Sequence, residues 1–473
     1  MKTLPLGLAY DDVLLVPQKS RIQSRSDVIT KTKLSRNISL AIPFVSSNVD
    51  TVTESAMAIT MAKLGGIGII HRFMTIDREV EEVTRVKRSE GFIMGTPFTL
   101  SPDHTVGEAR KRMKQQRVSS AIIVDRNKRV LGLVSDRDMW FLSDNAIRMV
   151  DVMTPAAKLI TADVNVSLKE AREIFRKHKV EKLPLLRKDG VLGGLITSRT
   201  VLNEDIYPQA TKDGKGRLMV GAAVGVVGDY LERAEALIKA KVDVIIVDIA
   251  HVHSVHGLTA VKKLRRLCKS VDLIGGNIAT PQAARDLIRL GVDGLKVGIG
   301  PGGICITRMV AGVGVPQLSA IMMCSKISQN AHVPLIADGG TNYPGDMTKA
   351  LAAGASNVMI TGWLAGTDES PGSIILRKGQ KFKVHRGAAS FTAVASRMPI
   401  EKELEEIVPE GIESFVPYKG SAKDVIHQLV GAVKSGMSYC DASTITELWK
   451  HAQFMQITTA GFRESTQHNV EEM

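Results

Sequence analysis

Leu273-Ile-Gly-Gly-Asn-Ile-Ala-Thr-Pro-Gln-Ala-Ala-Arg-Asp-Leu-Ile-Arg-Leu-Gly-Val-Asp-Gly-Leu-Lys-Val297 reads as a strand, a helix and a second strand. The apolar run Leu273–Asn277 is too short for a helix, Pro281–Leu290 carries helical periodicity, and Gly294–Val297 returns to a short apolar run. Two strands joined through a helix run parallel. The same unit recurs on both sides. Further strands are expected at Ile42–Ser46, Gly66–Ile70, Leu218–Val224, Val244–Asp248, Pro334–Asp338 and Asn357–Ile360. Helices are expected at Glu54–Leu64, Tyr230–Ala240 and Pro344–Ala353. Eight βα units predict an α/β fold of the closed (β/α)8 type, a TIM barrel, with its site at the C-terminal ends of the strands. Polar residues and glycines gather there: Asn48, His71, Gly225, Asp248, Asn277, Gly298 to Cys305, Asp338-Gly339-Gly340 and Thr361-Gly362. A doubly wound open sheet is the rival, but it gives no reason for such residues after all eight strands.

Between the second and third strands lies an internal repeat. Thr105-Val-Gly-Glu-Ala-Arg opens one unit and Ser167-Leu-Lys-Glu-Ala-Arg the next, and Glu108/Glu170, Val118/Val180, Gly132/Gly194 and Arg137/Arg199 keep one constant offset. Each unit reads as helix, strand, turn, strand, helix, with turns at Asp125-Arg-Asn-Lys and Arg187-Lys-Asp-Gly. A lone unit of this size buries little apolar surface, so the two are expected to pack as a pair. The expected division is 1–93 for the first part of the barrel, 94–202 for the insertion (94–147 and 150–202), and 203–473 for the rest. The tandem resembles a pair of CBS motifs, a Bateman domain, which implies binding of adenine or guanine nucleotides. Ser135 and Asp138 match the ribose position of such motifs, whereas the second unit has Thr197 and Thr200 without the carboxylate.

With 473 residues, 44% of them apolar, the chain is long enough for two or three globular domains. No apolar run reaches the ~18–20 residues of a membrane span, and acidic residues interrupt the N-terminus, so a cytoplasmic protein is expected. The net charge of +13 is spread along the chain among 49 acidic residues, which suits small polyanions better than nucleic acid. Cys268, Cys305, Cys324 and Cys440 form neither a CxxC pair nor a zinc spacing, so any cysteine that matters is a free thiol.

That cysteine is Cys305, at the end of the loop Gly298-Ile-Gly-Pro-Gly-Gly-Ile-Cys305. Glycines let backbone N–H groups approach a phosphate, and the thiolate form of a cysteine is a nucleophile. Phosphate cradle and thiol together point to covalent chemistry on a nucleotide.

The loop Gly298–Arg308, Ala311-Gly-Val-Gly-Val-Pro-Gln, Asp338-Gly-Gly, Tyr10-Asp-Asp-Val-Leu-Leu-Val-Pro, Asp50-Thr-Val-Thr-Glu, Pro417-Tyr-Lys-Gly and Ala460-Gly-Phe-Arg-Glu-Ser resemble the inosine-monophosphate dehydrogenase / guanosine-monophosphate reductase family over nearly the whole chain. The resemblance implies that Cys305 adds to C2 of a purine, that Thr307 relays a proton and that Glu410 bonds the base. It implies substrate contacts at Asn48, Gly303, Asp338, Gly340, Thr361, Gly362, Arg386 and Gly387, and nicotinamide contacts at Asp248, Asn277, Gly298 and Gly300. It also implies a potassium site at Gly300, Gly302, Cys305 and Glu464, and regulatory contacts at Ser135, Asp138, Thr197 and Thr200. Family members assemble as tetramers, which a CBS pair can join into octamers.

The dehydrogenases hydrolyse their thioimidate with an Arg-Tyr dyad on a flap. Here the matching segment, Arg386 to Val408, contains no tyrosine, and Arg397 is followed by Met398-Pro399. The expectation is therefore reduction of GMP to IMP with NADPH, with IMP oxidation by NAD as the alternative. A nucleotide sensor on an inactive barrel is the non-enzymatic rival. His251-x-His253-Ser254, Gly276-Asn-Ile-Ala-Thr and Arg463-Glu-Ser resemble the dehydrogenases, and Gly303, Ile306, Thr361 and Ala388 depart from both patterns.

Overall fold

The computed structural model describes residues 4–89, 97–116, 118–395 and 408–466. These form two compact units. The larger holds Met1–Ser89, Gln209–Asp213 and Leu218–Met473; the smaller holds Glu90–Pro208 and Gly214–Arg217.

In the larger unit eight parallel strands close into a barrel. They are β1 (Phe44–Ser46), β2 (Ile67–Ile70), β3 (Gly221–Val224), β4 (Val244–Asp248), β5 (Asp272–Ile278), β6 (Gly294–Val297), β7 (Leu335–Asp338) and β8 (Asn357–Ile360). Closure is made by β8 pairing with β1 and by β2 pairing with β3. Around them lie α1 (Ser55–Lys63), α2 (Ile76–Ser89), α3 (Tyr230–Lys239), α4 (Val255–Leu267), α5 (Pro281–Arg289), α6 (Gln317–Asn330), α7 (Pro344–Ala352) and α8 (Ala422–Tyr439). In the segment that decided the fold, Thr280 caps α5 by accepting from Ala283 N–H at 3.3 Å, and Pro281 stands at the first turn, where no donor is needed. Gly291, at φ +83°, ends the helix in a conformation that disfavours a side chain.

Strand alternation sorts the residues. One set, including Val45, Ile67, Ile69, Ala223, Val244, Ile246, Ile274, Ile336 and Met359, fills the barrel interior as a closed apolar cluster. The alternate set packs on the helices. Two positions further along the inward-facing rows come Asp248, Gly276 and Asp338, so the barrel is a dry plug with a polar layer at its C-terminal end.

Two features go beyond the sequence reading. After β8 an antiparallel sheet forms from Ile375–Arg377, Gln380–Arg386 and Glu413–Pro417, and the segment expected to be a flap is the connection between its last two strands. At the other end of the chain, Val13–Leu15 pairs with Phe454–Gln456. Lys87, buried near the end of α2, reaches Asp213 at 3.0 Å and Asp243 at 2.8 Å, which ties both barrel segments flanking the insertion to the start of β4.

The smaller unit repeats itself. Its first half pairs Ser120–Val124 with Val130–Ser135 and its second pairs Lys182–Leu186 with Leu192–Thr197. Each half has its own core, and Ile122, Val130 and Leu195 form a third cluster joining the two. The expected turns are present: Lys128 and Gly190 take positive φ, at 62° and 77°.

Candidate active site

Three segments far apart in sequence meet beside Cys305. The loop after β6 turns on Gly298 and Gly300, where a side chain has no room: a Cβ would lie 2.0 Å from the Asp338 carbonyl oxygen at the first and 2.6 Å from Arg308 Cγ at the second. The turn Cys305 N–H to Gly302 O (3.0 Å) presents the thiol. Behind it, Ile306 N–H donates to Glu410 O at 2.8 Å, Ile412 N–H to Ile304 O at 3.0 Å, and Glu410 N–H to Ala389 O at 3.1 Å. Gly387 fits this junction because a Cβ would meet Ile304 O at 3.1 Å and Gly411 Cα at 3.2 Å.

The side chains then form a chain of hydrogen bonds. Thr307 Oγ1 donates to Glu410 Oε2 at 2.7 Å and lies 3.2 Å from Cys305 Sγ. Because the hydroxyl proton goes to the carboxylate, its oxygen is left to accept from the thiol. A proton can therefore pass from sulfur through Thr307 to Glu410. The other three cysteines are buried; burial pushes the thiols of Cys324 and Cys268 up to about 12 and about 11, and that of Cys440 also upward.

Next to this chain lies the polar layer. Asp338 Oδ2 accepts from Lys296 Nζ at 2.7 Å and from Asn277 Nδ2 at 2.9 Å, while Asn277 also donates to Gly298 O at 2.7 Å. Lys296 Nζ donates in turn to Asn277 Oδ1. Asp248 bonds Arg72 at 3.3 Å. Burial raises its carboxyl, but Arg72 and Lys296, with the Asn48 amide, outweigh that and hold it below the usual carboxylate range. Asn48 is itself buried, on the loop after β1.

The glycines expected at a phosphate split into two kinds. A Cβ on Gly303 or Gly362 would meet nothing within 4 Å, so their backbone is open to a ligand, whereas Gly340 (φ +83°) is fixed by its turn against Pro301 and Gln317. Thr361 follows β8, and the Gly362 carbonyl accepts from Lys419 Nζ at 2.5 Å. This open glycine backbone beside carboxylates and amides fits a nucleotide and a nicotinamide. Arg386, expected to face substrate, has its guanidinium on Asp50 (2.9 and 2.5 Å) and Thr392 (3.0 Å).

Glu464 ends the short helix Thr459–Glu464, and among the described residues no hydrogen bond joins it to Gly300, Gly302 or Cys305. Arg397 and the flap residues 396–407 lie outside the described residues. In the smaller unit Ser135 Oγ donates to Asp138 Oδ2 at 2.8 Å and the Thr197 and Thr200 hydroxyls are 2.8 Å apart; both pairs cap a following helix. Sequence reading missed Lys296, Arg72 and Asp50. The first had a signal: a lysine inside the apolar run Gly-Leu-Lys-Val.

Fold and site together define a (β/α)8 barrel with a partly exposed free thiol, hydrogen-bonded through Thr307 to Glu410, at its C-terminal mouth. A sequence profile of the IMP dehydrogenase / GMP reductase domain matches residues 7–468, and the chain belongs to that family. It is 49% identical to inosine-5'-monophosphate dehydrogenase of Nitrosopumilus maritimus over 98% of each chain. It is 45% identical to GMP reductase of Leishmania donovani over 100% of this chain and 99% of the relative. The crystal structure of a cysteine-to-alanine variant of GMP reductase from Trypanosoma brucei, in complex with guanosine 5'-monophosphate, superposes with a TM-score of 0.92 at 43% identity, covering 99% of each chain. Among the described residues no helix is long and apolar enough to cross a membrane.

Proposed function

We propose that this oxidoreductase converts GMP to IMP and ammonia with NADPH. The observation that carries a thiol-based reaction is the bonded chain Cys305–Thr307–Glu410. The thiol proton passes through Thr307 to Glu410, and the thiolate adds to C2 of the guanine. Glu410, through Thr307, returns that proton to the 2-amino group, which leaves as ammonia; one bond to sulfur has formed and one to nitrogen has broken. Bound NADPH supplies a hydride to the same carbon. Cys305 then departs as thiolate and takes a proton from solvent. Asp338, with Oδ2 held by Lys296 and Asn277, offers Oδ1 to the ribose hydroxyls, and the open backbone at Gly303 and Gly362 takes the phosphate. Asp248 and Asn277 take the nicotinamide side.

What favours reduction is the absence of tyrosine from residues 386–408, since no hydrolytic base of the dehydrogenase kind is then available. The 49% identity to an IMP dehydrogenase favours a second reading, oxidation of IMP with NAD. The repeats at 94–202 are proposed as a CBS pair that binds adenine or guanine nucleotides and regulates the barrel, in a tetramer or octamer, and potassium is proposed at the cysteine loop. Absorbance of reduced nicotinamide tests the reaction. Consumption of NADPH with GMP and release of ammonia is the expected result; NADH formation from IMP with accumulation of xanthosine monophosphate would replace it with the second reading.

A further inference from the structure

We propose that Lys296 is a positioning residue that sets the orientation of Asp338, and so the affinity for the nucleotide. Its placement follows from the strand. In β6 Leu295 and Val297 pack on the helix layer, so Lys296 points inward. The neighbouring strand makes room: Gly276 is paired with Lys296, and a Cβ there would lie 2.5 Å from Lys296 Cβ. The lysine is only 3% exposed above a dry core. An ammonium in such a place is costly unless acceptors surround it.

The acceptors come from two other strands and close a triangle. Lys296 donates to Asn277 Oδ1 and to Asp338 Oδ2 (2.7 Å), and Asn277 Nδ2 donates to the same Asp338 oxygen (2.9 Å). With its oxygen turned to the ammonium, Asn277 must turn its amide nitrogen to Asp338 and to Gly298 O (2.7 Å). One cation thus fixes which carboxylate oxygen is consumed, which way the amide faces, and where the cysteine loop starts. The charged and titratable groups around Asp338 are Lys296 from β6 and the buried Tyr10 phenol, pushed upward by burial and by Asp346 and Asp338, so neutral throughout. Lys296 in turn acts on Asp248, which Arg72 pairs.

Removing the ammonium takes away one of the two donors on Asp338 Oδ2 and the donor that sets the Asn277 amide, so the carboxylate is no longer held in one orientation toward the ribose hydroxyls. This inference rests on the assignment of Asp338 to the nucleotide. The test is steady-state kinetics of wild type, Lys296→Met, Lys296→Arg, Asp338→Asn and the Lys296→Met/Asp338→Asn double variant, with GMP and NADPH and with IMP and NAD, at pH 5.5 to 8.5. Lys296→Met is expected to raise the nucleotide KM about 10- to 100-fold, with a smaller effect on kcat. Lys296→Arg is expected to restore most of it, and Lys296→Met to cost little in the Asp338→Asn background. The inference is overturned if Lys296→Met keeps the wild-type KM, if it lowers kcat as much as it raises KM, if Lys296→Arg is no better than Lys296→Met, or if the double variant shows full additivity. Wild type inactive with both substrate pairs would instead overturn the functional reading.

Discussion

The barrel and the inserted repeats use charge in opposite ways. The barrel holds ion pairs whose cation is buried, Lys87 with Asp213 and Asp243, Arg233 with Glu79 at 2.5 Å and Lys296 with Asp338, besides exposed ones such as Arg289–Asp286. In the repeats, Arg137–Glu181, Arg172–Asp205 and Arg176–Glu173 all stand in solvent. The cores differ in the same sense. The barrel has one closed interior, whereas the repeats have two small cores joined by a third cluster. A closed barrel has a desolvated end where a carboxylate, an amide and an ammonium act strongly on one another. In the two small units Ser135, Asp138, Ser167, Glu170 and Thr197 serve as helix caps, and Asp125 and Asp189 hold the turns.

Four experiments would break or sharpen this contrast. The largest effect is expected from Cys305→Ala, which should lower turnover at least about 10³-fold while the repeats still bind nucleotide; residual turnover near wild type, followed by nicotinamide absorbance, would move the chemistry away from the barrel mouth. Next, Lys87→Met takes the buried ammonium from the mostly buried Asp243 and should cost about 3 kcal/mol in urea unfolding. Third is a pH effect. His385 is buried beside Thr51 (2.9 Å), and burial, with Lys419 adding, pushes its imidazole down to about 4. The unfolded chain therefore binds the proton first, so this contribution is complete above pH ~6.5 and is lost as pH falls toward 4, up to about 3 kcal/mol. His385→Gln should flatten the fall in Tm between pH 7 and pH 5. Smallest is Arg137→Ala in the repeats, where the exposed pair with Glu181 should contribute less than about 0.5 kcal/mol. A loss as large as that of Lys87→Met would erase the contrast.

How far the sequence could be read depended on the range of the contacts. The eight strands and the turns of the repeats were legible because periodicity, capping and glycine act within a few residues. Thr280, Pro281 and Gly291 fix α5 with no help from the rest of the fold. Cys305 was legible from its glycine loop and Thr307 and Glu410 were named through family resemblance, but their bonding was not visible, because Thr307 and Glu410 are 103 residues apart. Arg386 was assigned to substrate on its motif, yet its guanidinium lies on Asp50, 336 residues away. The sheet joining Gln380–Arg386 to Glu413–Pro417 was missed because its pairing spans the intervening flap.

By itself the chain's order of residues determined a closed barrel of parallel strands, an inserted duplicated unit and a cysteine on a glycine loop, since each is written in local spacing. Only the tertiary structure decided that the cysteine is hydrogen-bonded through Thr307 to Glu410 and that a lysine inside β6 bonds two polar side chains on other strands. Barrel closure brings Asp248, Asn277, Lys296 and Asp338 together from four strands, and burial at the end of a dry core is what makes their charges count.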